Sequence, residues 1–386
     1  CLKLYGHITL WNVSMITDMS ELFVTHSQFN NNINWWDVSN VTNMAEIFNG
    51  CNKFNNPLNN WNVSNVNNMT KMFMFCEKFN QDISKWNTCK VENMDNLFCR
   101  CKKFNQDISN WNVNNVTNMF AMFYECCKFN QDLSKWDVSN VKKMTCLFAN
   151  CVSFNQDISR WDTSNVKYMD WMFAQCYLFN QKLSGWKVSK VKNMEGIFSK
   201  CYIFNQDISG WDVRNVYNME SMFYECRDFN KDISKWNVSN VNTMKSMFHY
   251  CYKFNQNLSN WNVRNVDNMK NMFSYCYKFN QDLSEWKVRN VETMKNMFHF
   301  CLDFNQDISK WNVSNVENMQ DMFHCCWSFD QDISNWDVNM VENLYDIFYK
   351  CIRFNKSLKK WIPKLQNEKD REYIIELMSY NMTSLN

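Results

Sequence analysis

Residues 304–328 read FNQDISKWNVSNVENMQDMFHCCWS, and the spacing of the apolar side chains changes halfway through. In the first half, Ile308-x-x-Trp311-x-Val313 has the spacing of a short strand and its approach. Trp311 and Val313 would face one side and Asn312 the other. In the second half Val316, Met319, Met322, Phe323 and Cys326 recur every three or four residues, the pattern of one face of a two-to-three-turn helix. Ser314 and Asn315 stand just ahead as N-cap candidates.

The same block recurs along the chain. Trp occupies 11, 36, 61, 86, 111, 136, 161, 186, 211, 236, 261, 286, 311, 336 and 361, fifteen copies at a spacing of 25 without insertion or deletion. Cys keeps this period from Cys51 to Cys351 with Cys1 in phase and His26 as the replacement, and Phe fills two more columns, Phe23 to Phe348 and Phe29 to Phe354. Repetition this strict defines a solenoid. One block cannot fold alone, because burying its apolar side chains does not offset the entropy of ordering the chain. Stacking does, and at strand spacing (~4.8 Å per rung) the rungs would build a rod or arc about 70 Å long.

Composition agrees. The chain has 386 residues but only 5 Gly and 2 Pro, so ordinary turn punctuation is nearly absent, while 18 Trp, 31 Phe, 26 Met and 19 Cys supply a core. A formal charge of +2 gives no electrostatic basis for binding nucleic acid. No apolar run approaches the 18 residues of a membrane span.

The spacing Ile308-x-x-Trp311-x-Val313-x-x-Val316 is that of the leucine-rich repeat, with Val where that repeat carries Asn or Cys. The longer pattern F-N-Q-D-I-S-x-W-x-V-S-N-V-x-N-M-x-x-M-F-x-x-C resembles the 25-residue repeat of BspA-like leucine-rich repeat surface proteins, found also in mycoplasma-type surface lipoproteins of unknown function. The resemblance implies an α/β, leucine-rich-repeat-like solenoid of about fifteen rungs over residues 1–361, with short parallel strands on one face and short helices on the other. It also implies surface display or adhesion at a cell-surface or extracellular location, and no chemistry. After Trp361 the pattern breaks at Ile362-Pro363, and residues 362–386 read as a C-terminal capping helix with the stripe Tyr373, Ile374, Leu377 and Met378. No matching N-terminal cap is visible, which leaves Leu4, Ile8 and Trp11 as a candidate exposed first rung.

Few residues stand out as chemistry. The Cys ladder has no close pairs for zinc, and residues in register point the same way, so buried thiols acting as small hydrophobes are expected. Off-ladder Cys89, Cys99, Cys127, Cys146 and Cys325 are expected to be more exposed. Asp82, Asp107, Asp132, Asp157, Asp207, Asp232, Asp282, Asp307 and Asp332 form a column suited to accepting turn amides rather than holding calcium. The Asn30 to Asn355 column, with Asp330 as its exception, would make a ladder of amides. His249, His299 and His324 share a column, with Cys325 and Cys326 beside His324, but no second set of residues marks a metal centre. No cofactor, no metal and no enzymatic activity are expected.

Variation between blocks concentrates where the expected helix ends. Aromatics gather there, and adjacent rungs would bring Tyr250, Tyr252, Tyr275, Tyr277 and Phe300 together, with Trp327 further along. Tyr and Trp cover contact area with few torsions to freeze. These six are the candidate binding residues for a protein or glycan ligand. The alternative is a structural component, a fibre or shell element that oligomerises through solenoid ends or edges.

Overall fold

The computed structural model describes residues 6–383, and of their side chains those up to Ser379, so Cys1 and Leu4 lie outside the described residues. The chain divides into two compact units, Cys1–Val191 and Lys192–Asn386. Each unit is a repeat solenoid of 25-residue rungs.

A rung is a succession of turns around a dry core. In the rung quoted above, backbone amides close turns from Trp311 to Ile308, Val316 to Val313, Met322 to Met319, Cys326 to Phe323 and Phe329 to Cys326, at 2.9–3.2 Å. Ile308, Trp311, Val313, Val316, Met319, Met322, Phe323, Cys326 and Phe329 are all buried. Polar columns supply the missing turn chemistry. Asp307 Oδ1 accepts from the Ser309 amide at 2.9 Å, and the equivalent bond recurs at Asp82 and Asp332. These bonds hold the three carboxylates below their ordinary range. The Asn column forms the expected ladder: Asn280 Oδ1 takes the Asn305 amide at 2.9 Å, and Asn305 Oδ1 takes the Asp330 amide. The Trp and Cys columns bond as well as pack. Trp311 Nε1–H donates to the Leu283 carbonyl at 2.9 Å, and Cys326 Sγ–H donates to the Phe298 carbonyl at 2.8 Å.

The structure corrects the assignment of helix and strand. Residues 316–326 and their equivalents form turns, and among the described residues the helical elements are a 3-10 turn, Ile8–Leu10, and one α-helix, α1, Glu368–Thr383. Consecutive turns put Met319, Met322, Phe323 and Cys326 on one face as well as a helix would, so the spacing does not separate the two. What decides is where the amides go. Met319, Asp321, Phe323 and Cys325 each donate to the next rung, to the carbonyls of Asn343, Tyr345, Ile347 and Tyr349, at 2.8–3.0 Å. The carbonyls of Asn318, Gln320, Met322 and His324 accept the same four bonds from the preceding rung. Asp321 and Cys325 adopt left-handed φ of 55° and 59°, which aims their amides along the stack instead of back into a helix.

The parallel pairing expected at Trp311–Val313 is therefore found on this other side, as isolated bridges such as Asn43↔Asn68 in the first unit and Thr293↔Asn318 in the second. Like rings in adjacent rungs are nearly parallel, and their centroid separation differs around the rung. In the second unit it is 5.0 Å at Tyr252–Tyr277, 5.7 Å at Phe223–Phe248, 6.0 Å at Phe229–Phe254 and 6.5 Å at Trp236–Trp261. The first unit is similar, from 5.7 Å at Phe73–Phe98 to 6.2 Å at Trp86–Trp111. At the Trp column the bond between rungs comes from the indole, as from Trp261 Nε1–H to the Ile233 carbonyl at 3.1 Å.

At the last rung of the second unit, the amides that would seek another rung meet α1. The Phe348 amide lies 3.4 Å from Tyr373 Oη, and the Leu344 amide donates to the Asp370 carboxylate. Ile374 and Leu365 are buried alongside. Pro363 does not open the helix; it sits in the turn in which the Lys364 and Leu365 amides both donate to the Trp361 carbonyl. Asp370 is buried with Oδ2 unpartnered, and burial raises its carboxyl above the ordinary value.

Two outcomes test this description. Asp370→Asn keeps an acceptor for the Leu344 amide without a buried charge and should melt at or above the wild-type temperature. Asp370→Ala orphans that amide and should cost about 1–3 kcal/mol in denaturant unfolding. At the left-handed Ser221, φ 54°, Ser221→Gly should raise the melting temperature, and Ser221→Val, β-branched and strained there, should lower it.

Candidate recognition site

One of the two left-handed columns of each rung carries three of the aromatic residues singled out by sequence. Tyr250, Tyr275 and Phe300 occupy it with φ of 63°, 61° and 58°. Their rings stack as a ladder, 4.4 Å between Tyr250 and Tyr275 and 4.7 Å between Tyr275 and Phe300. Tyr252 and Tyr277 make a second, outer column, stacked nearly parallel at 5.0 Å, with Tyr250–Tyr252 and Tyr275–Tyr277 meeting edge-on at 6.1 and 6.2 Å. All five rings are half-buried. Trp327 shares the column of Tyr252 and Tyr277 but is separated from them by Leu302, and its ring is exposed without a stacking partner. The structure thus unites five of the six and leaves Trp327 at a distance along the same face.

Histidines complete the surface, and the sequence reading had weighed them only as metal ligands. His249 stacks on Tyr250 at 4.2 Å and meets Tyr224 edge-on at 5.3 Å. His299 meets Tyr275, Phe300 and His324 edge-on at 4.8–5.2 Å. Burial, followed by the neighbouring His299, pushes His249 down to about 4; burial, followed by His324, does the same to His299. His249 Nδ1 is buried without a hydrogen-bond partner. Writing the sequence in columns of 25 places each of these rings beside the Tyr or Phe that follows it, and that register was the signal to use.

Elsewhere the side chains look structural. Burial pushes the ladder thiols well above their ordinary range, as at Cys226 and Cys301, so they stay protonated and donate to Phe carbonyls. Of the off-ladder thiols, Cys89, Cys127 and Cys146 are half-buried as expected, but Cys99 and Cys325 are buried. Both lie on the ribbon, where the adjacent rung covers them. At the first described rung, Leu10, Trp11, Ile16 and Leu22 are exposed and, with Val13 and Trp36, border an open cavity of about 670 Å³. Ile8 is half-buried. No helix among the described residues is long and apolar enough to cross a membrane.

The repeats match one family, described as "Mycoplasma protein of unknown function, DUF285", over residues 2–104, 76–186, 200–302 and 278–384, and the chain belongs to it. No curated protein matches the sequence. Among solved structures, the chain is similar to a leucine rich cell surface protein from Faecalibacterium prausnitzii, at 12% identity over 72% of this chain and 86% of that one, with a TM-score of 0.33. It is also similar to a leucine-rich repeat protein from Eubacterium ventriosum, at 10% identity, 69% and 78% coverage and a TM-score of 0.31.

The two histidines make the second unit sensitive to acid. Both are neutral in the fold and would protonate near 6.5 when unfolded. Their contribution is complete above pH 6.5 and is lost as pH falls toward 4, because the unfolded chain then binds more protons. The melting temperature should drop across this window, and His249→Phe combined with His299→Phe should flatten the drop.

Proposed function

We propose that this protein is a non-catalytic recognition module, displayed at a cell surface, that captures a protein or glycan through Tyr250, Tyr252, Tyr275, Tyr277, Phe300 and Trp327. The observation that carries the reading is the double aromatic ladder outside the sealed core. The Trp and Phe core columns already satisfy packing, yet rings are spent on positions where other rungs place Lys, Asn or Gly: Lys200, Asn150 and Gly50 occupy the column of Tyr250. Flat, half-buried rings with hydroxyls at their rims suit the faces of sugars and the side chains of a protein ligand. Catalysis finds no matching arrangement, since nearly every polar group already serves a turn or a ladder repeated from rung to rung.

We read residues 362–386 as the cap of the repeat domain 1–361, a role supported by the bonds from Asp370 and Tyr373. Assembly through the rung that ends the second unit is disfavoured on this reading, because α1 already occupies its amides.

The test is replacement of Tyr250, Tyr252, Tyr275 and Tyr277 by Ser, with binding followed on a glycan array and a panel of purified glycoproteins. Wild-type protein should bind a discrete subset, and the variant should lose at least tenfold in affinity with little change in melting temperature. A sharp fall in melting temperature instead would assign the rings to packing and remove the support for recognition.

A further inference from the structure

Beside the aromatic ladder, on the other left-handed column, the charge pattern changes in the last two rungs. Earlier in this column the acids Glu21 and Glu46 are followed by Lys71, whose Nζ lies 2.8 Å from Glu46 Oε1. At Asp321 and Asp346, both left-handed at φ 55° and 53°, an acid answers an acid. Among the described residues neither is paired with a Lys or Arg, and Asp321 Oδ1 meets the His324 imidazole instead, 3.1 Å from its Nδ1. One ligand atom from each of Asp321, His324 and Asp346 lies within 4.8 Å of the others, and all three residues are half-buried. The imidazole is held from both sides, its ring centroid 4.8 Å from His299 and 4.8 Å from Tyr349.

We propose that Asp321, His324 and Asp346 form a binding site for a divalent transition-metal ion of the zinc type, which clips two adjacent rungs together next to α1. Two carboxylates stacked across neighbouring rungs repel in a partly desolvated setting, and a dication between them removes that repulsion. The donor set selects the metal. One imidazole and two carboxylates suit zinc, cobalt or nickel, with water completing the sphere, whereas calcium asks for six to eight oxygens and finds two side chains here. Ligands on a tetrahedral zinc at ~2.05 Å sit about 3.4 Å apart. The Asp321–His324 pair stands at 3.1 Å, close to that spacing, and the Asp346 ligand atom lies within 4.8 Å of both. The ladder thiols do not compete, since they are buried and bonded to carbonyls.

The experiment uses the full chain, stripped with a chelator and titrated with cobalt(II) chloride and, by calorimetry, with zinc chloride. One ion per chain should bind, the cobalt visible bands should lack thiolate-to-metal charge transfer, and zinc should raise the melting temperature while calcium chloride does not. Asp346→Asn and His324→Gln should each weaken zinc by at least tenfold, and Asp346→Asn, which relieves the repulsion, should leave the metal-free melting temperature no lower than that of the wild type. The proposal is overturned if no stoichiometric binding occurs, if a thiolate band dominates, or if both variants bind as tightly as wild type. Should a variant fail to fold, the cobalt spectrum of the wild-type chain decides alone between nitrogen and oxygen ligands and sulfur.

Discussion

The structure depends on a ribbon of hydrogen bonds that runs mainly one way. In rung after rung four alternate amides point to the following rung and four alternate carbonyls to the preceding one, as from Met69, Lys71, Phe73 and Phe75 to Asn93, Asp95, Leu97 and Cys99, against one ribbon amide that points back, as from Glu92 to Asn67. An ordinary strand alternates its donors between two neighbours and its dipoles cancel. Here the forward bonds outnumber the return bond, so the peptide dipoles of the ribbon largely add within each unit. Each rung therefore has one edge richer in carbonyls and one richer in amides, and a partner of opposite kind completes either. At the amide edge of the last rung, that partner is a carboxylate and a phenol from α1.

This ribbon requires left-handed backbone at two places per rung, and the chain supplies it almost without glycine. Glu46, Lys71, Trp171 and Asn296 all sit there, each at a conformational cost of order 1 kcal/mol. The cost is tolerable because the neighbouring rungs hold the backbone on both sides. These positions hold side chains that differ from rung to rung, from the buried Ala121 and Cys325 to Tyr250, Tyr275 and the paired aspartates.

Much of this was legible in the sequence. The 25-residue period gives the rungs, the Trp, Phe, Met and Cys columns give the core, and Asp307 and Asn305 announce their turn bonds. Secondary structure was not legible, because Met319, Met322, Phe323 and Cys326 face inward equally well from a helix or from linked turns. The deciding quantity, the φ of Asp321 and Cys325, leaves no mark in residue type when neighbours enforce it. The aromatic site was half readable: columns bring Tyr250 and Tyr275 together, but the burial of His249 depends on how closely the rungs approach. The approach of Asp321 to Asp346 is hidden in the sequence, because a helix with the same spacing would aim those side chains elsewhere.

The uneven separation of like rings has its own implication. Sheets of leucine and valine tolerate a fixed pitch, but here the interval between rings widens by more than an ångström between the tyrosine rim and the tryptophan rim of the same coil. Rings at the tyrosine rim therefore touch their counterparts more closely than the indoles across the core do, so the outer aromatics read as one continuous surface while each indole is held singly, by its own bond to a carbonyl.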